Sequence, residues 1–340
     1  MRTAYRRLAC RLLRVMGRRV RPSPYRGGEI ETAVVLIPEL FGDTILTTPL
    51  LRALRSVSPS IDITVIGNGP GVSLLAHDGA VSAAVDLRRA TPGERSNVFR
   101  RRFDVLLSTK DHPSFTNLRL VRRIDAAYRI GFDHPGHHGF FDSLVERPEN
   151  MPVWEKTTAL VEPLRRASSP APRPYLPDGP ISTAVREFVT THLAERSAIA
   201  VNISASKPEK RWPTDRWKNL LEAIARPVVV LSAPEHSADR SRLEAALPSV
   251  VPSPATESLF DVGHIVRHTT ALLSTDTAVV HIASCFDTPV VALYRNPRDL
   301  AKFPPLSSHN QVLLALDDDL SSIGLEQVRE GLEELERELA

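Results

Sequence analysis

The sequence predicts an α/β protein built from two doubly wound parallel sheets, and three observations carry that expectation. From residue 33 onward, apolar β-branched runs alternate with amphipathic helical stretches, the pattern of strand and crossover helix. The alternation stops at EPLRRASSPAPRPYLPDG, around residues 163–180, where Pro and Ser sustain neither helix nor central strand, and then starts again. With 340 residues, 42% of them hydrophobic, the chain can fill two cores of ordinary size. The expected organisation is a basic arm (1–30), a first Rossmann-like domain (31–165), a Pro/Ser-rich linker (166–180), a second such domain (181–320) and a closing helix (321–340).

Taken in order, residues 33–37 (AVVLI) read as a buried parallel strand and residues 49–55 as an amphipathic helix. Between them lies the Gly42-Asp43 turn. Strands follow at 61–66, 81–87, 104–108 and 127–131, with helices at 72–77, 95–102 and 119–126. Beyond the linker, helices are expected at 181–195, 214–225, 239–246, 258–268 and 278–285. The strands between them fall at 198–203, 227–231, 271–274 and 289–294. The charged segment 325–339 closes the chain as a helix that could pack back across the hinge.

Charge is mild overall, +3 with 24% charged residues, but it is unevenly placed. Arg2, Arg6, Arg7, Arg11, Arg14, Arg18, Arg19, Arg21 and Arg26 all precede the first acidic residue, Glu29. Leu8, Leu12, Val15 and Met16 recur among them at helical spacing, giving an apolar stripe on a basic helix that suits an anionic membrane face. A solvated terminal arm fits the same pattern. No apolar h-region marks a secretory signal and no segment is long enough to span a bilayer. Cys10 and Cys285 lie far apart in different contexts, which argues against a disulfide framework or a Cys-based metal site and makes a reducing, cytoplasmic setting the default expectation. Nothing calls for a nucleic-acid partner.

Four places carry possible chemistry. Asp43 follows the first strand, at the carboxyl edge where ligands bind in doubly wound sheets, although Asp also favours helix caps. The loop from Asn202 to Pro213 gathers Ser204, Ser206, Lys207, Lys210 and Arg211, cations and hydroxyls that suit a diphosphate or simply face solvent. At 274–281, STDTAVVH, the amides of Thr277 and Ala278 open a helix and favour an anion, whereas Asp276 suits sugar hydroxyls or a cap. Here His281 reads equally as a core histidine. Glu235, after the strand at 227–231, is a weaker candidate for ribose hydroxyls. No G-x-G-x-x-G or G-x-x-x-x-G-K-[ST] fingerprint supports an NAD or P-loop reading. Asp317-Asp-Asp319 reads as a solvated loop or cap before a metal site. The Pro- and Gly-containing run 133–138, DHPGHH, is a loop that offers His134 on the acceptor side.

Together GDTILTTPLLRALR, KRWPTDRW and TDTAVVHIASCFDTPVVALY resemble, in order and wording, the glycosyltransferase family 9 pattern of ADP-heptose:lipopolysaccharide heptosyltransferases. The resemblance implies the GT-B fold, two Rossmann-like domains facing a central cleft, and inverting transfer of a nucleotide-activated heptose without a metal or other cofactor. It implies a nucleoside-diphosphate sugar as donor and a glycan or glycolipid as acceptor, at the inner membrane face. By this likeness Asp43 is the base that deprotonates the acceptor, flanked by Gly42 and Thr44. Lys210, Ser206, Thr277 and Ala278 serve the donor diphosphate, Asp276 serves the donor sugar, and Glu235 is a loose match to a ribose ligand.

Three departures stand out. Ala278 replaces the family's usual Gly, Arg295-Asn-Pro-Arg298 replaces Gly-Pro-Thr-Asp, and Pro38-Glu39 replaces a basic residue before the Gly-Asp turn. A relative with another donor sugar or a soluble acceptor, or a nucleotide-sugar-binding protein without turnover, remains compatible with the sequence.

Overall fold

The computed structural model describes residues 20–165, 171–194 and 197–339. The expected basic helix therefore lies almost wholly outside the described residues, as does 166–170 of the expected linker. The chain divides into two compact units, 1–177 and 178–340.

The first unit holds a six-stranded, all-parallel sheet. Its strands are β1 (Thr32–Leu36), β2 (Asp62–Gly67), β3 (Ala83–Asp86), β4 (Arg102–Ser108), β5 (Asp125–Phe132) and β6 (Ser143–Val145). They lie side by side as β3-β2-β1-β4-β5-β6. The AVVLI run is buried on both faces because successive side chains alternate. Ala33, Val35 and Ile37 pack with Leu50, Leu51 and Leu54 of helix Thr48–Val57, whereas Val34 and Leu36 pack with Leu118 and Val121 of helix Phe115–Arg123.

The second unit has five parallel strands. They are β7 (Ile199–Asn202), β8 (Val228–Leu231), β9 (Leu272–Thr275), β10 (Val290–Tyr294) and β11 (Asn310–Leu314), ordered β11-β10-β9-β7-β8. Trp212 and Trp217 fill its core edge to face, ring centroids 4.7 Å apart, and the Trp212 indole N–H donates to the Ile323 carbonyl at 3.1 Å. Among the described residues no helix is long and apolar enough to cross a membrane.

Several expectations are corrected. The helix expected at 95–102 runs Pro92–Arg100, because Thr91 and Glu94 form a reciprocal capping box and Pro92 opens the helix. The helix expected at 119–126 is Phe115–Arg123; extended backbone at Ile124 ends it, and Asp125 already begins β5. Strand β11 has half-buried side chains and a polar start, so it escaped an apolar-run criterion. The apolar stripe of helix Leu325–Leu339 is used within the second unit, where Val328, Leu332 and Leu335 lie in the core. Residues 171–177 are tied to the first unit instead of hanging free. The Tyr175 hydroxyl donates to Asp78 at 2.6 Å, its ring lies under Arg52, and its backbone exchanges two bonds with the Thr48 hydroxyl. Burial and the Asp78 carboxylate hold that phenol well above the ordinary tyrosine range.

The turn bearing Asp43 is itself helical, Phe41–Ile45, and packs on helix Pro70–Leu75 through Gly71. A Cβ at Gly71 would fall on the Thr44 side chain. Gly71→Ala is therefore expected to lower stability by about 1–3 kcal/mol, the usual scale for overpacking. Equilibrium urea unfolding checks this, and a variant as stable as wild type would show that the contact yields freely.

Candidate functional site

In a doubly wound sheet the crevice for ligands opens where strand order reverses, outside the carboxyl ends of the strands. In the second unit that point lies between β7 and β9. Two loops leave it, and both carry residues singled out above. From β7 come Asn202, Ser204, Ser206 and Lys210, the last closing a 3-10 turn, Pro208–Lys210. From β9 come Asp276, Thr277 and Ala278 at the start of helix Ala278–Phe286.

The Lys210 ammonium pairs directly with the Asp276 carboxylate. Asp276 is 6% exposed and Lys210 keeps 19% of its side chain accessible, so the pair sits at the rim of a buried site. Burial pushes the Asp276 carboxyl up, against the opposing pull of Lys210. Asp276 is not a cap: the N-cap is Thr277, in extended backbone, and its hydroxyl makes no capping bond. The first amides of that helix thus lack a capping side chain at the end where the dipole attracts anions.

Asn202 holds the two loops together. Its amide nitrogen reaches the Ser204 carbonyl at 3.1 Å, the Ser274 hydroxyl at 3.0 Å and the Thr277 hydroxyl at 3.1 Å, and its side-chain oxygen accepts from Ser204 N–H at 3.3 Å. The Ser204 hydroxyl in turn accepts from Ala233 N–H at 2.7 Å, fastening the loop after β8. Sequence reasoning used Asn202 only as a loop boundary. A polar residue closing the apolar strand IAVN was the signal available. Ser206 is exposed on the same loop, and Glu235 is exposed on the turn Pro234–His236 after β8. Because β8 flanks β7 on the side away from β9, Glu235 stands one strand further from Asp276.

The corresponding reversal in the first unit lies between β1 and β4. Gly42 and Asp43 stand there, both half-buried, in the first turn of helix Phe41–Ile45. Asp43 occupies neither cap position, since Leu40 and Thr47 are the N-caps of the two consecutive helices. Its carbonyl accepts from the Thr47 hydroxyl at 2.8 Å. Thr44 is fully buried and donates to the Leu40 carbonyl at 2.9 Å, which fits a support for the turn. His134 accepts from Gly136 N–H at 2.9 Å within its loop. The sequence missed the polar group beyond β4, where Asp111 lies 2.8 Å from both Lys156 and His112. The His112 hydrogen bond and the Lys156 charge hold its carboxyl far below the ordinary range.

Among the described residues, no group of three or more His, Cys, Asp and Glu side chains is placed to hold a metal ion. Asp319 of the acidic run caps the turn Leu320–Ser322, and Asp318 accepts from Asn296 at 2.6 Å.

Two doubly wound parallel units, with a cation and uncapped amides at a strand reversal, have the α/β architecture of GT-B-like glycosyltransferases. The chain belongs to glycosyltransferase family 9 (heptosyltransferase), whose model matches residues 96–323. The Gly42-Asp43 turn lies before that interval. A glycosyl transferase family 9 structure from Veillonella parvula is 21% identical with a TM-score of 0.75, over 92% of this chain and all of that one. The E. coli ADP-heptose lps heptosyltransferase II superimposes with a TM-score of 0.70 at 21% identity, over 91% of this chain and 100% of that one. Lipooligosaccharide heptosyltransferase 2 of Haemophilus influenzae is 21% identical over 315 residues, 85% of this chain and 90% of the relative.

His281, in the second turn of helix Ala278–Phe286, is 3% exposed, and its Nδ1 has no hydrogen-bond partner. Burial, with the Lys210 charge adding to it, lowers its pKa to about 4. An unfolded chain takes up this proton near the ordinary value of about 6.5, so the stabilising effect is complete above that pH and is lost as pH falls toward 4. The urea midpoint of the wild type should therefore drop on going from about pH 7 to pH 5, and His281→Gln should flatten the drop. Equal slopes in the two proteins would remove His281 as the cause.

Proposed function

We propose that the protein transfers a heptose-like sugar, with inversion, from a nucleoside diphosphate to a glycan or glycolipid, with ADP-heptose as donor and a lipopolysaccharide-core acceptor. The carrying observation is the Lys210–Asp276 pair beside the uncapped helix start at the β7/β9 reversal. A nucleotide sugar presents both chemistries that this pair answers: diphosphate oxygens for a cation and amides, and sugar hydroxyls for a carboxylate. The donor and acceptor follow the printed names of relatives that act on ADP-heptose, lipopolysaccharide or lipooligosaccharide.

In this reading Lys210, Ser206 and the Thr277 and Ala278 amides bind the diphosphate, Asp276 binds the sugar and Glu235 the ribose. The acceptor side is given to Gly42, Thr44 and His134, and Asp43 is the base. As the acceptor oxygen bonds to the anomeric carbon, the carbon–oxygen bond to the diphosphate breaks. The acceptor proton passes to Asp43 and the bonding pair leaves on the diphosphate. The added charge falls where Lys210 and the helix amides stand, so stabilisation grows toward the transition state. Side-chain and dipole charge is assigned the leaving-group role that a divalent cation fills elsewhere.

Asp43→Ala should lower kcat by about 10²–10⁴-fold, the usual scale for a general base, with ADP affinity kept. Steady-state transfer assays with ADP-heptose, run with and without EDTA, test both points. Full activity in the variant sinks the base assignment, and collapse with chelator sinks the metal-free mechanism. No turnover of ADP-heptose by wild type, with ADP still bound, would favour a binding protein or another donor sugar.

The basic arm is assigned to an anionic membrane face, from its arginine spacing alone. Removing residues 1–28 should abolish sedimentation with vesicles containing anionic lipid while leaving transfer to a soluble acceptor intact. Unchanged sedimentation would rule the arm out as an anchor.

A further inference from the structure

Arg295 is the first residue beyond β10, the strand next to β9. It leaves the sheet on the same carboxyl edge as Asp276, whose N–H donates to the Leu293 carbonyl at 3.0 Å, two residues before Arg295. Its guanidinium stands 3.6 Å from the Asp299 carboxylate, beyond hydrogen-bond length. The Arg295 Nε is buried with no hydrogen-bond partner, and the facing Asp299 Oδ2 likewise has none. Asp299 is placed independently, since its N–H donates to Asn296 Oδ1 at 2.8 Å in the cap of helix Pro297–Lys302.

A guanidinium presents five donors in a planar fork suited to phosphate, and an orphaned buried donor is costly unless something completes it. Both charges act on Asp276, Asp299 raising its pKa and Arg295 lowering it, which places them in the electrostatic field of the Lys210–Asp276 site.

We infer that Arg295 is a second cationic ligand for the donor diphosphate, with Asp299 as its resting partner when no donor is bound. The inference rests on the nucleotide-sugar reading above and adds a residue to it. Lys210 is in direct contact with Asp276, whereas Arg295 stands 3.6 Å from Asp299 with its Nε unbonded, so Arg295 keeps a donor for an incoming phosphate. Arg295 supplies a fork where Lys210 supplies a point charge. The contact belongs to the phosphates, so it should govern how strongly a second phosphate improves binding and not how the base is held.

The test is isothermal titration of wild type, Arg295→Ala, Arg295→Lys and Asp299→Asn with ADP and with AMP. Wild type should prefer ADP. In Arg295→Ala the ratio of the AMP to the ADP dissociation constant should shrink about tenfold, the scale of one charge-assisted hydrogen bond. Arg295→Lys should fall between the two, and Asp299→Asn should keep or raise ADP affinity. An unchanged ratio in Arg295→Ala overturns the inference, whether both affinities stay or both fall together, the latter marking a structural role. Those outcomes leave the donor reading standing. A wild type that binds neither nucleotide overturns that reading and this inference with it.

Discussion

Asn202 fastens the carboxyl edge of the second sheet, and the geometry of the loops that carry Lys210 and Asp276 depends on that fastening. A parallel sheet ends in loops with no ladder to hold them, so something else must fix their relative positions. Here one buried amide reaches its own loop through Ser204 and the neighbouring strand end through Ser274 and Thr277. Ser204 extends the tie to Ala233. An amide NH₂ has two protons, and three acceptors lie within 3.1 Å of it, so the group is fully engaged and the loops have little freedom to drift. Thr277 is thereby set as the residue before the helix, with its own hydroxyl drawn toward Asn202 and away from capping.

The charges mounted on this frame form two ion pairs, Lys210 with Asp276 and Arg295 with Asp299. Buried pairs of this kind contribute little to folding, because desolvation offsets most of the Coulombic gain. Their value lies in preorganisation. Burial pushes the Asp276 carboxyl up and the Lys210 charge pulls it back down. The pair sets a cation and a carboxylate side by side at the strand reversal. His281 nearby is kept neutral by burial and adds no positive charge that would compete with Lys210 for the carboxylate.

Much of this was legible in the sequence because apolar β-branched runs leave few alternatives. VVVL at 228–231 and VVALY at 290–294 are fully buried strands, and each reads as one without help. The chain around Lys210 and Asp276 was legible as loop and helix start, since Pro208 and Pro213 break the first and Ala278 opens the second. Their contact was not, as 66 residues separate them and only the strand order β9-β7 brings their loops together. Asn202 and Asp111 were passed over for a related reason. Each is fixed by partners that local sequence does not name: Thr277 and Lys156. Strand β11 hid because an edge strand with one covered face needs no continuous apolar run.

The distribution of carboxylates bears on where a base can stand. On the carboxyl edge of the second unit, Asp276 is held by Lys210, Asp299 by Arg295 and an Asn296 cap, and Asp318 by Asn296. A carboxylate whose lone pairs face a cation binds hydroxyls well and abstracts protons poorly, because the cation stabilises the charged form that must accept the proton. Burial counteracts that effect at Asp276 by raising its pKa, while Lys210 engages its Oδ2. Glu235 is exposed and stands beyond β7. The carboxylates at this edge that lie near the Lys210–Asp276 pair are thus tied to cations or to a cap. In the first unit the strand reversal between β1 and β4 carries Asp43, half-buried, in the first turn of helix Phe41–Ile45.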